Sequence, residues 1–505
     1  MVSFPITNFG GNIRFTARYH YAPATEAEVL EMLNRHARGK VRVVGALHSW
    51  SPAIVSEDVL VDLRHFNSVL VQRGTDGTVW ATVGGGCRIK HLLRKLHALG
   101  DATLPSLGLI TEQTIAGAIS TATHGSGRHS MSHYMAEIRA AAYDAQTGGA
   151  RVFVWNDGPA LWAARCALGC MGIILSVKLC CIPQYAVAEN VRRYASLDEV
   201  LAQEAEHPLQ QFYLVPHAWV FYAQQRKALP AEPSKPSRLW QGLLTVPRSG
   251  DRCTTLFRSW HATLYRIYWF LFIDLGLHWC VKLCAAWLRS RGLVHLFYRR
   301  LLPWLIWKPR NLVERSDVAL VMKHELFRHL EIEIFVPARH LRQAVHFVQQ
   351  VLMVFDGAEH TDPALAAELE NRGLLSRLLA WRGAYTFHYP ITFRRVLADD
   401  TLISMTADGA DPYYAISFIT YVEPRDAFFQ LASLLAESMT LLFAARLHWG
   451  KYFPLQYSQI YAAYPSLAAF RDICRQTDPH GVFCNDYVKR VLGFRHDNEE
   501  NVPIQ

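Results

Sequence analysis

A glycine-rich run between residues 106 and 127, SLGLITEQTIAGAISTATHGSG, places the strongest constraint on what this chain can fold into. Gly117, Gly125 and Gly127 stand among alanine, serine and threonine, so a ligand can approach the backbone closely and receive many hydrogen bonds. The run lacks GxxxxGK[ST], and its glycines are not spaced GxGxxG, which excludes the ordinary nucleotide loops. It fits a large ligand that carries a pyrophosphate, or else a structural Gly/Ala turn.

The remainder of the chain has the pattern of an α+β protein of at least two domains. At 505 residues it exceeds the size of one ordinary core, and its 51% apolar content argues against disorder. Short β-branched runs alternate with helical patterns from about residue 20 to 180. Strand-like runs such as HLEIEIFVP return between 319 and 422, which predicts a second, sheet-based domain.

Charge and cysteine usage narrow the partners and the compartment. A net charge of +9 suits an anionic membrane surface or an acidic ligand, but no long Lys/Arg run or nucleic-acid-reading module occurs, so no nucleic acid is expected. The ten cysteines form no CxxC pair and no metal-like repeat, which indicates reduced thiols and no metal. The first residues lack the order of a secretion signal, so we expect a cytoplasmic protein.

Residues 255–308 are unusually rich in Trp, Phe, Tyr and Leu. Charged and polar residues interrupt this stretch too often for a membrane-spanning helix. At 100° per residue they fall on one half of the helix; they are Arg266, Asp274, His278, Lys282 and Arg289. The stretch therefore predicts either interfacial amphipathic helices flanked by basic residues or helices whose apolar face packs on the protein.

Six motifs, in order, carry a resemblance to a known family. NFGGN, GALHSWS, the run at 106–127, YPITFRRVLADD, HWGKYF and DPHGVFCNDYVKRVLG resemble the aldonolactone oxidase and alditol oxidase branch of the vanillyl-alcohol-oxidase flavoproteins. The resemblance implies an α+β fold with a two-subdomain FAD-binding domain and a sheet-based cap, and it runs along the whole chain except across the helical aromatic-basic insert, which falls within the cap. The implied boundaries are 1–185 for the FAD domain, 186–430 for the cap with its insert at 253–310, and 431–505 for a segment returning to the active site.

The resemblance also implies which residues contact FAD. His48, in Gly-x-x-His-Ser, matches the histidine that is commonly bonded to the flavin 8α-methyl group, so we expect histidyl-FAD; the alternative is a histidine packed beside a noncovalent flavin. LGCMGIILSV resembles the turn at the adenine end. The expected lining residues are Gly45, Ala46, Leu47, Ser49, Ser106, Gly108, Gln113, Thr114, Gly117, Ala118, Thr121, Thr123, His124, Gly125, Gly169, Gly172 and Ile174, with Ser126 as an additional candidate.

The catalytic motif departs from the family at one position. The family's Pro-x-Glu-x-Arg reads Pro-Ile-Thr-Phe-Arg here, so Arg394 is kept and Thr392 replaces the carboxylate. Lys451 matches a family lysine beside the flavin, and His448 of the same motif is a candidate assistant. Glu331 and Glu333, one strand period apart, either replace the missing carboxylate or form a structural ion pair.

Three functions remain open at this point. The first is oxidation of a CH–OH group of a sugar lactone, alditol or related polyol, similar to D-arabinono-1,4-lactone oxidase, with O₂ or another electron acceptor. The second is a membrane-surface flavoenzyme, peripheral on the inner face of the membrane, that acts on a lipid-linked sugar or another apolar substrate. The third is a flavoprotein in which Thr392 marks lost activity.

Overall fold

The computed structural model describes residues 4–229, 263–322, 328–421 and 423–494. Most of the proline-containing stretch at 227–238 and the first part of the predicted insert, 253–262, lie outside these ranges.

The N-terminal part contains a hairpin and a small parallel sheet. Strands Phe4–Thr7 and Arg14–Ala17 form the hairpin. In the parallel sheet, Val59–Asp62 lies between Tyr19–Tyr21 and Val41–Val44. Helix Glu26–Arg35 begins at Thr25, whose hydroxyl accepts a hydrogen bond from the Glu28 amide, and it buries Val29, Met32 and Leu33. Strand Val41–Val44 ends where the His48 loop begins.

A six-stranded antiparallel sheet follows. Its strands, from one edge to the other, are Ala150–Trp155, Met135–Tyr143, Ile173–Pro183, Val79–Gly84 and Val69–Arg73, and Ala102–Thr103 pairs with Ile173–Pro183. The helical segments among these strands are Ile89–Gly100, Ile115–Ser120, Met131–Tyr134 and Gly158–Arg165, and a short turn, Pro52–Ile54, lies between two strands of the small parallel sheet. The predicted mixture of helix and sheet in an FAD-binding fold is confirmed.

The second domain is built on an eight-stranded antiparallel sheet. Its order is Leu312–Arg315, Ala186–Tyr194, Val220–Leu229, Gln211–Val215, Ile391–Val396, Tyr413–Thr420, Leu330–Pro337 and Arg446–Leu447. Every residue of Leu330–Pro337 is buried, because helices Leu341–Phe355 and Asp426–Phe443 pack on this strand. The shorter helices are Leu197–Leu201, Ser316–Ala319, Ala338–His340, Pro363–Asn371 and Leu375–Ala380.

The aromatic stretch forms two helices against this sheet. The first, Thr263–Trp287, includes π-helical turns at Trp269–Leu277 and Lys282–Trp287 around an α-helical His278–Val281. The second covers 291–305 as Arg291–Leu296, a π-helical Phe297–Leu301, and Leu302–Leu305. Their inner sides pack on the sheet residues Val215 and Tyr222. We call these two helices the insert.

The insert buries part of its apolar surface and exposes the rest. Asp274 and His278 are 9% and 8% exposed, whereas Ile267, Leu271 and Leu288 are about half exposed. Leu277 and Val281 of the same helix pack on the protein, so the predicted packing is present for one part of the apolar surface only. By length and mean hydropathy alone, both Thr263–Trp287 and Asp426–Phe443 could cross a membrane, but Asp426–Phe443 packs in the core.

The C-terminal helices Tyr457–Ile460, Leu467–Thr477 and Asp486–Leu492, with a turn at Tyr461–Ala463, pack back on the N-terminal part. Val41 donates its amide hydrogen to Val482 O at 2.9 Å. The Asn485 side chain accepts from the Val488 amide and donates to Pro52 O and Val55 O, so it both starts the last helix and ties it to the loop after the small sheet.

Candidate active site

A large cavity opens between the glycine-rich run, the cap sheet and the insert. One wall is formed by the backbone around Gly45, Gly117 and Gly169. The cap sheet contributes charged and hydroxyl side chains, and the insert contributes aromatic and aliphatic ones. The lining residues used below are His48, Glu331, Glu333, Thr392, Arg394, His448, Lys451, Tyr265, Trp269, Ile273, Asp274, Leu277, His278, Leu302, Ile306 and Trp307.

Close backbone approach shapes the glycine wall. Thr114 caps helix Ile115–Ser120 by accepting from the Gly117 amide at 3.3 Å, and a Cβ atom on Gly45 would overlap the Thr114 side chain. Gln113 Oε1 and Thr123 Oγ1 are buried on this wall and have no hydrogen-bond partner within the described part of the chain. Buried polar atoms are normally satisfied, so these two are suited to contact a polar ligand such as FAD.

Most of the residues expected to contact FAD line this cavity. Three of the expected residues do not line it. Ala118, within helix Ile115–Ser120, is fully buried, and Ser106 and Gly125 line a smaller neighbouring cavity together with Ser126. The others around the cavity are Gly45, Ala46, Leu47, His48, Ser49, Gly108, Gln113, Thr114, Gly117, Thr121, Thr123, His124, Gly169, Gly172 and Ile174.

The His48 loop is held from two sides. Asn8, of the NFGGN motif, donates to Ser49 O at 2.8 Å, and the His48 ring stacks on Phe9 with 4.8 Å between centroids. From the other side, the Trp50 amide donates to Gly450 O at 2.8 Å. The residue before His48, Leu47, has a φ of 58°, a left-handed conformation that costs energy for leucine and turns the histidine into the cavity.

Burial lowers the pKa of His48 to about 4 and outweighs the opposing charge of Glu112, while the positive charge of Lys451 acts in the same direction as burial. At neutral pH the ring is therefore a neutral imidazole. A neutral ring nitrogen is nucleophilic, which is the state needed to form a bond to an electrophilic methyl carbon.

Two buried carboxylates face the cavity from one strand. Lys451 forms a short ion pair with Glu331, and its ammonium lies 4.4 Å from the centre of the Trp50 ring. Burial alone would raise the pKa of Glu331, but Lys451 and His329 lower it to about 2. Glu331 is therefore ionised at neutral pH, and its charge is balanced by Lys451.

Glu333 has several hydrogen-bonding and charged neighbours. Its Oε1 accepts from Ser417 Oγ at 2.9 Å and lies 3.3 Å from Arg394 Nη1 and 3.4 Å from His124 Nε2. Burial would raise the pKa of this carboxyl, but His124 and Lys451 hold it well below its usual range. The predicted ion pairing of the two glutamates is therefore present, and both also line the cavity.

The sheet register explains how the cap accommodates Thr392. Thr392 pairs directly with Ser417, and Ser417 pairs directly with Glu333 on the next strand. Directly paired residues in an antiparallel sheet lie on the same face. The Glu333 carboxylate thus stands in line with Thr392, two strands away, and contacts the retained Arg394.

His448 is positioned by its own motif. Its Nδ1 accepts from the Gly450 amide at 3.0 Å, so in the neutral ring the proton sits on Nε2. Burial lowers the pKa of His448 to about 3, despite the nearby charge of Glu333. The ring can therefore donate a hydrogen bond but is not a base at neutral pH.

Sequence reasoning missed several residues of this site. Buried Arg42 donates to Ala53 O, Phe483 O and Leu168 O at 2.5–2.6 Å and so joins three segments behind the glycine wall. His329, inside the quoted HLEIEIFVP run, lines the cavity, as do Asp274 and His278 of the insert. The strand pattern could have indicated His329; nothing in the sequence pairs Arg42 with its three carbonyl partners.

A family model described as D-arabinono-1,4-lactone oxidase matches residues 177–491, and one described as FAD binding domain matches residues 17–144. The chain belongs to the D-arabinono-1,4-lactone oxidase family. The predicted family, enzyme class and cofactor are thereby confirmed. This member of the family is an FAD-dependent oxidoreductase acting on CH–OH groups, and Gln113, Thr123 and the glycine wall fit FAD.

Relatives of this family member differ in their substrates. It is 44% identical over 491 residues to a long-chain alcohol oxidase from an uncultured marine euryarchaeote, with 96% of each chain covered. It is 25% identical over 503 residues to an alditol oxidase from a Streptomyces species, covering 97% of this chain and 100% of that one. A crystal structure of cholesterol oxidase from B. sterolicum has the same fold, with a TM-score of 0.67, 15% identity and 97% of each chain covered.

Proposed function

We propose that this enzyme oxidises the hydroxyl group of a long-chain, apolar alcohol whose hydrocarbon part lies between the insert helices. The observation that carries the proposal is the continuity of the cavity. His48 and Lys451 line the same cavity as the apolar residues Trp269, Leu277 and Ile306. An apolar channel of this kind stabilises a bound hydrocarbon by about 0.8 kcal/mol per buried methylene group.

The charged end of the cavity supports alcohol oxidation. When bound, FAD supplies the acceptor for a hydride leaving the substrate carbon. Glu331 is the candidate hydrogen-bond acceptor that orients the substrate hydroxyl group, because Glu333 is already engaged by Ser417, Arg394 and His124. Lys451 supplies positive charge beside the reacting atoms, and His448 Nε2–H is a hydrogen-bond donor there. Arg394 contacts Glu333 and holds it in place.

A second candidate substrate is a sugar lactone or alditol. The polar groups around Glu331 and Arg394 favour it, as does the family model that covers most of the cap. Anaerobic addition of dodecanol, xylitol or L-gulono-1,4-lactone to the enzyme distinguishes the candidates, because only a substrate bleaches the flavin. Bleaching by xylitol or the lactone but not by dodecanol would refute the long-chain proposal; rapid recolouring in air would identify O₂ as an acceptor.

Covalent attachment of the flavin at His48 is part of the proposal. His48→Ala is expected to abolish the flavin fluorescence that stays with the denatured protein in a gel, and to lower kcat about tenfold, because the tether positions the ring. His329→Ala, which removes another cavity-lining histidine, is the control and should keep the fluorescent band. A wild-type protein without that band would show that the flavin is noncovalent.

The outer face of the insert supports binding to a membrane surface on the cytoplasmic side. Twelve large apolar side chains there are more than a third exposed: Leu264, Ile267, Leu271, Phe272, Trp279, Leu283, Trp287, Leu288, Leu293, Leu296, Leu301 and Trp304. Exposed patches of this kind mark interaction surfaces. Exposed Arg299, Arg300 and Lys308 adjoin them and complement anionic headgroups.

Trp287 and Trp304 are 70% and 82% exposed and anchor this surface. The double variant Trp287→Ser, Trp304→Ser is expected to lower the fraction bound to phosphatidylserine-containing liposomes about tenfold in a sedimentation assay, since aromatic side chains supply much of the interfacial affinity. Trp162→Ser, on the FAD-binding domain, is the control. Equal sedimentation of the double variant and the wild type would exclude the insert as the membrane contact.

A further inference from the structure

A cluster of two histidines and an aspartate lies outside the cavity, where the insert meets the cap. His217 is in the turn after strand Gln211–Val215, His295 is on the second insert helix, and Asp356 follows helix Leu341–Phe355. One nitrogen of each histidine and one carboxylate oxygen lie within 4.8 Å of one another. We propose that His217, His295 and Asp356 bind a divalent transition-metal ion, with Zn²⁺ as the best fit, that fastens the insert to the cap.

The hydrogen bonds at His217 leave a lone pair pointing at the carboxylate. His217 Nε2 contacts Phe387 O at 2.7 Å, and because a carbonyl only accepts, Nε2 carries the proton. Nδ1 then has a lone pair 3.7 Å from Asp356 Oδ2. The His217 side chain is 5% exposed, so these two atoms face each other in the protein interior. A cation between Nδ1 and Oδ2 removes the repulsion between these two electron-rich atoms.

The spacing of the donor atoms suits a tetrahedral ion. Zn–N and Zn–O bonds of about 2.0–2.2 Å place neighbouring ligands about 3.3 Å apart. Asp356 Oδ2 lies 2.7 Å from His295 Nε2 and 3.7 Å from His217 Nδ1, so small shifts in opposite directions reach that spacing. His295 binds through Nε2 once its ring proton moves to Nδ1. Its side chain is 23% exposed, which leaves room for water as the fourth ligand.

The surrounding groups orient the carboxylate without blocking it. Thr386 Oγ1 donates to Asp356 Oδ1 at 2.8 Å, and Arg291 Nε lies 3.6 Å from the same oxygen. Contacts to Oδ1 leave Oδ2 for the ion, as in metal sites where neighbouring hydrogen bonds fix the ligand. His217 itself has a φ of 65°, and Arg299 Nε donates to its carbonyl at 3.1 Å. Strained residues of this kind concentrate at binding sites.

The test titrates chelator-treated holoenzyme with Co²⁺, whose visible absorption is strong only in tetrahedral sites, and then with Zn²⁺. We expect one Co²⁺ per chain, displaced by Zn²⁺, and an increase of about 3 °C in Tm at saturating Zn²⁺. Asp356→Asn and His295→Gln should each weaken binding more than tenfold. His346→Ala, which removes an exposed histidine on helix Leu341–Phe355, should bind as the wild type does.

His295→Gln keeps the result decisive if Asp356→Asn fails to fold. Glutamine can still donate to Asp356, so a purely hydrogen-bonded contact between insert and cap would survive this change, whereas the metal site would not. Absence of the cobalt bands in the wild type, or bands of equal intensity in His295→Gln, overturns the proposal.

Discussion

Lys451→Met is expected to lower kcat for the alcohol substrate about 10²–10³-fold, the cost of removing one well-placed charge at a reacting centre. Lys451 is the cation paired with Glu331 in the cavity, and it also lies over the Trp50 ring of the His48 loop. Methionine retains the apolar length of the side chain and removes the charge. Stopped-flow measurement of anaerobic flavin reduction reports this step directly.

The same change also leaves Glu331 buried without its main partner. Lys451 holds the pKa of Glu331 at about 2, so without it burial raises that pKa and the protein loses stability at neutral pH. The lost stability is largest above the raised pKa of Glu331, where the unpaired carboxylate is charged, and smaller in acid, where it is protonated.

The double variant Lys451→Met, Glu331→Gln separates the two effects. Removing both charges is expected to restore Tm towards that of the wild type, while flavin reduction stays slow. Recovery of the rate together with Tm would show that Lys451 acts only as a structural partner of Glu331. A fast Lys451→Met single variant would remove the lysine from the mechanism.

The motifs of the FAD domain could be predicted because each is a short run with fixed residue types. Gly45 leaves room for Thr114, and Asn8 donates to Ser49 O from 41 residues away, so each long-range contact still depends on one residue type inside a short motif. Ser106, Ala118 and Gly125 fall in the same matched motif but lie just off the cavity. A motif predicts which segment of the chain forms the cavity wall. Whether each side chain in that segment points toward the cavity or away from it depends on tertiary packing.

The relation between Thr392 and Glu333 could not be read from the sequence. These residues are on strands separated by one other strand, and only the register through Ser417 aligns them. Strand order in an antiparallel sheet follows from long-range packing, which leaves no spacing signal along the chain. Although position 392 has no carboxylate, Arg394 contacts the carboxylate of Glu333 from another strand. Thr392 therefore indicates a rearranged set of charges around Arg394 and does not indicate lost activity.

The insert was ambiguous for a similar reason. Its hydrophobic pattern shows two faces but not which one meets the protein. In the structure Asp274 and His278 reach the cavity together with Leu277, whereas Ile267 and Leu271 are about half exposed. Burial raises the pKa of Asp274 to about 6. The helix therefore has polar and apolar side chains on both its inner and its outer side, which the hydrophobic pattern alone could not assign.

Ile306→Asp should change the dependence of the rate on substrate length. Ile306 lines the insert end of the cavity, and each methylene buried there contributes about 0.8 kcal/mol, or roughly fourfold in kcat/KM. A carboxylate at this position is expected to lower kcat/KM about 100-fold for dodecanol and less than threefold for butanol, which has a much shorter hydrocarbon chain. Rates are measured with monomeric substrate below its micellar concentration.

Trp304→Asp provides the matched control, because it adds the same charge two residues away, in the last turn of helix Leu302–Leu305, at a side chain that is 82% exposed. With monomeric substrate it should leave both rates unchanged. If Ile306→Asp lowers the rates for butanol and dodecanol equally, the insert affects folding or the flavin and does not hold the hydrocarbon chain. If the selective loss is found, the aromatic insert determines chain-length preference, while the charged end around Glu331 and Lys451 performs the oxidation. Under that result, the reacting groups of the family are kept at one end of the cavity and the insert forms the wall at the other end. A change in that one wall would then be sufficient to convert a fold that acts on polar lactones and alditols into one that acts on an apolar alcohol.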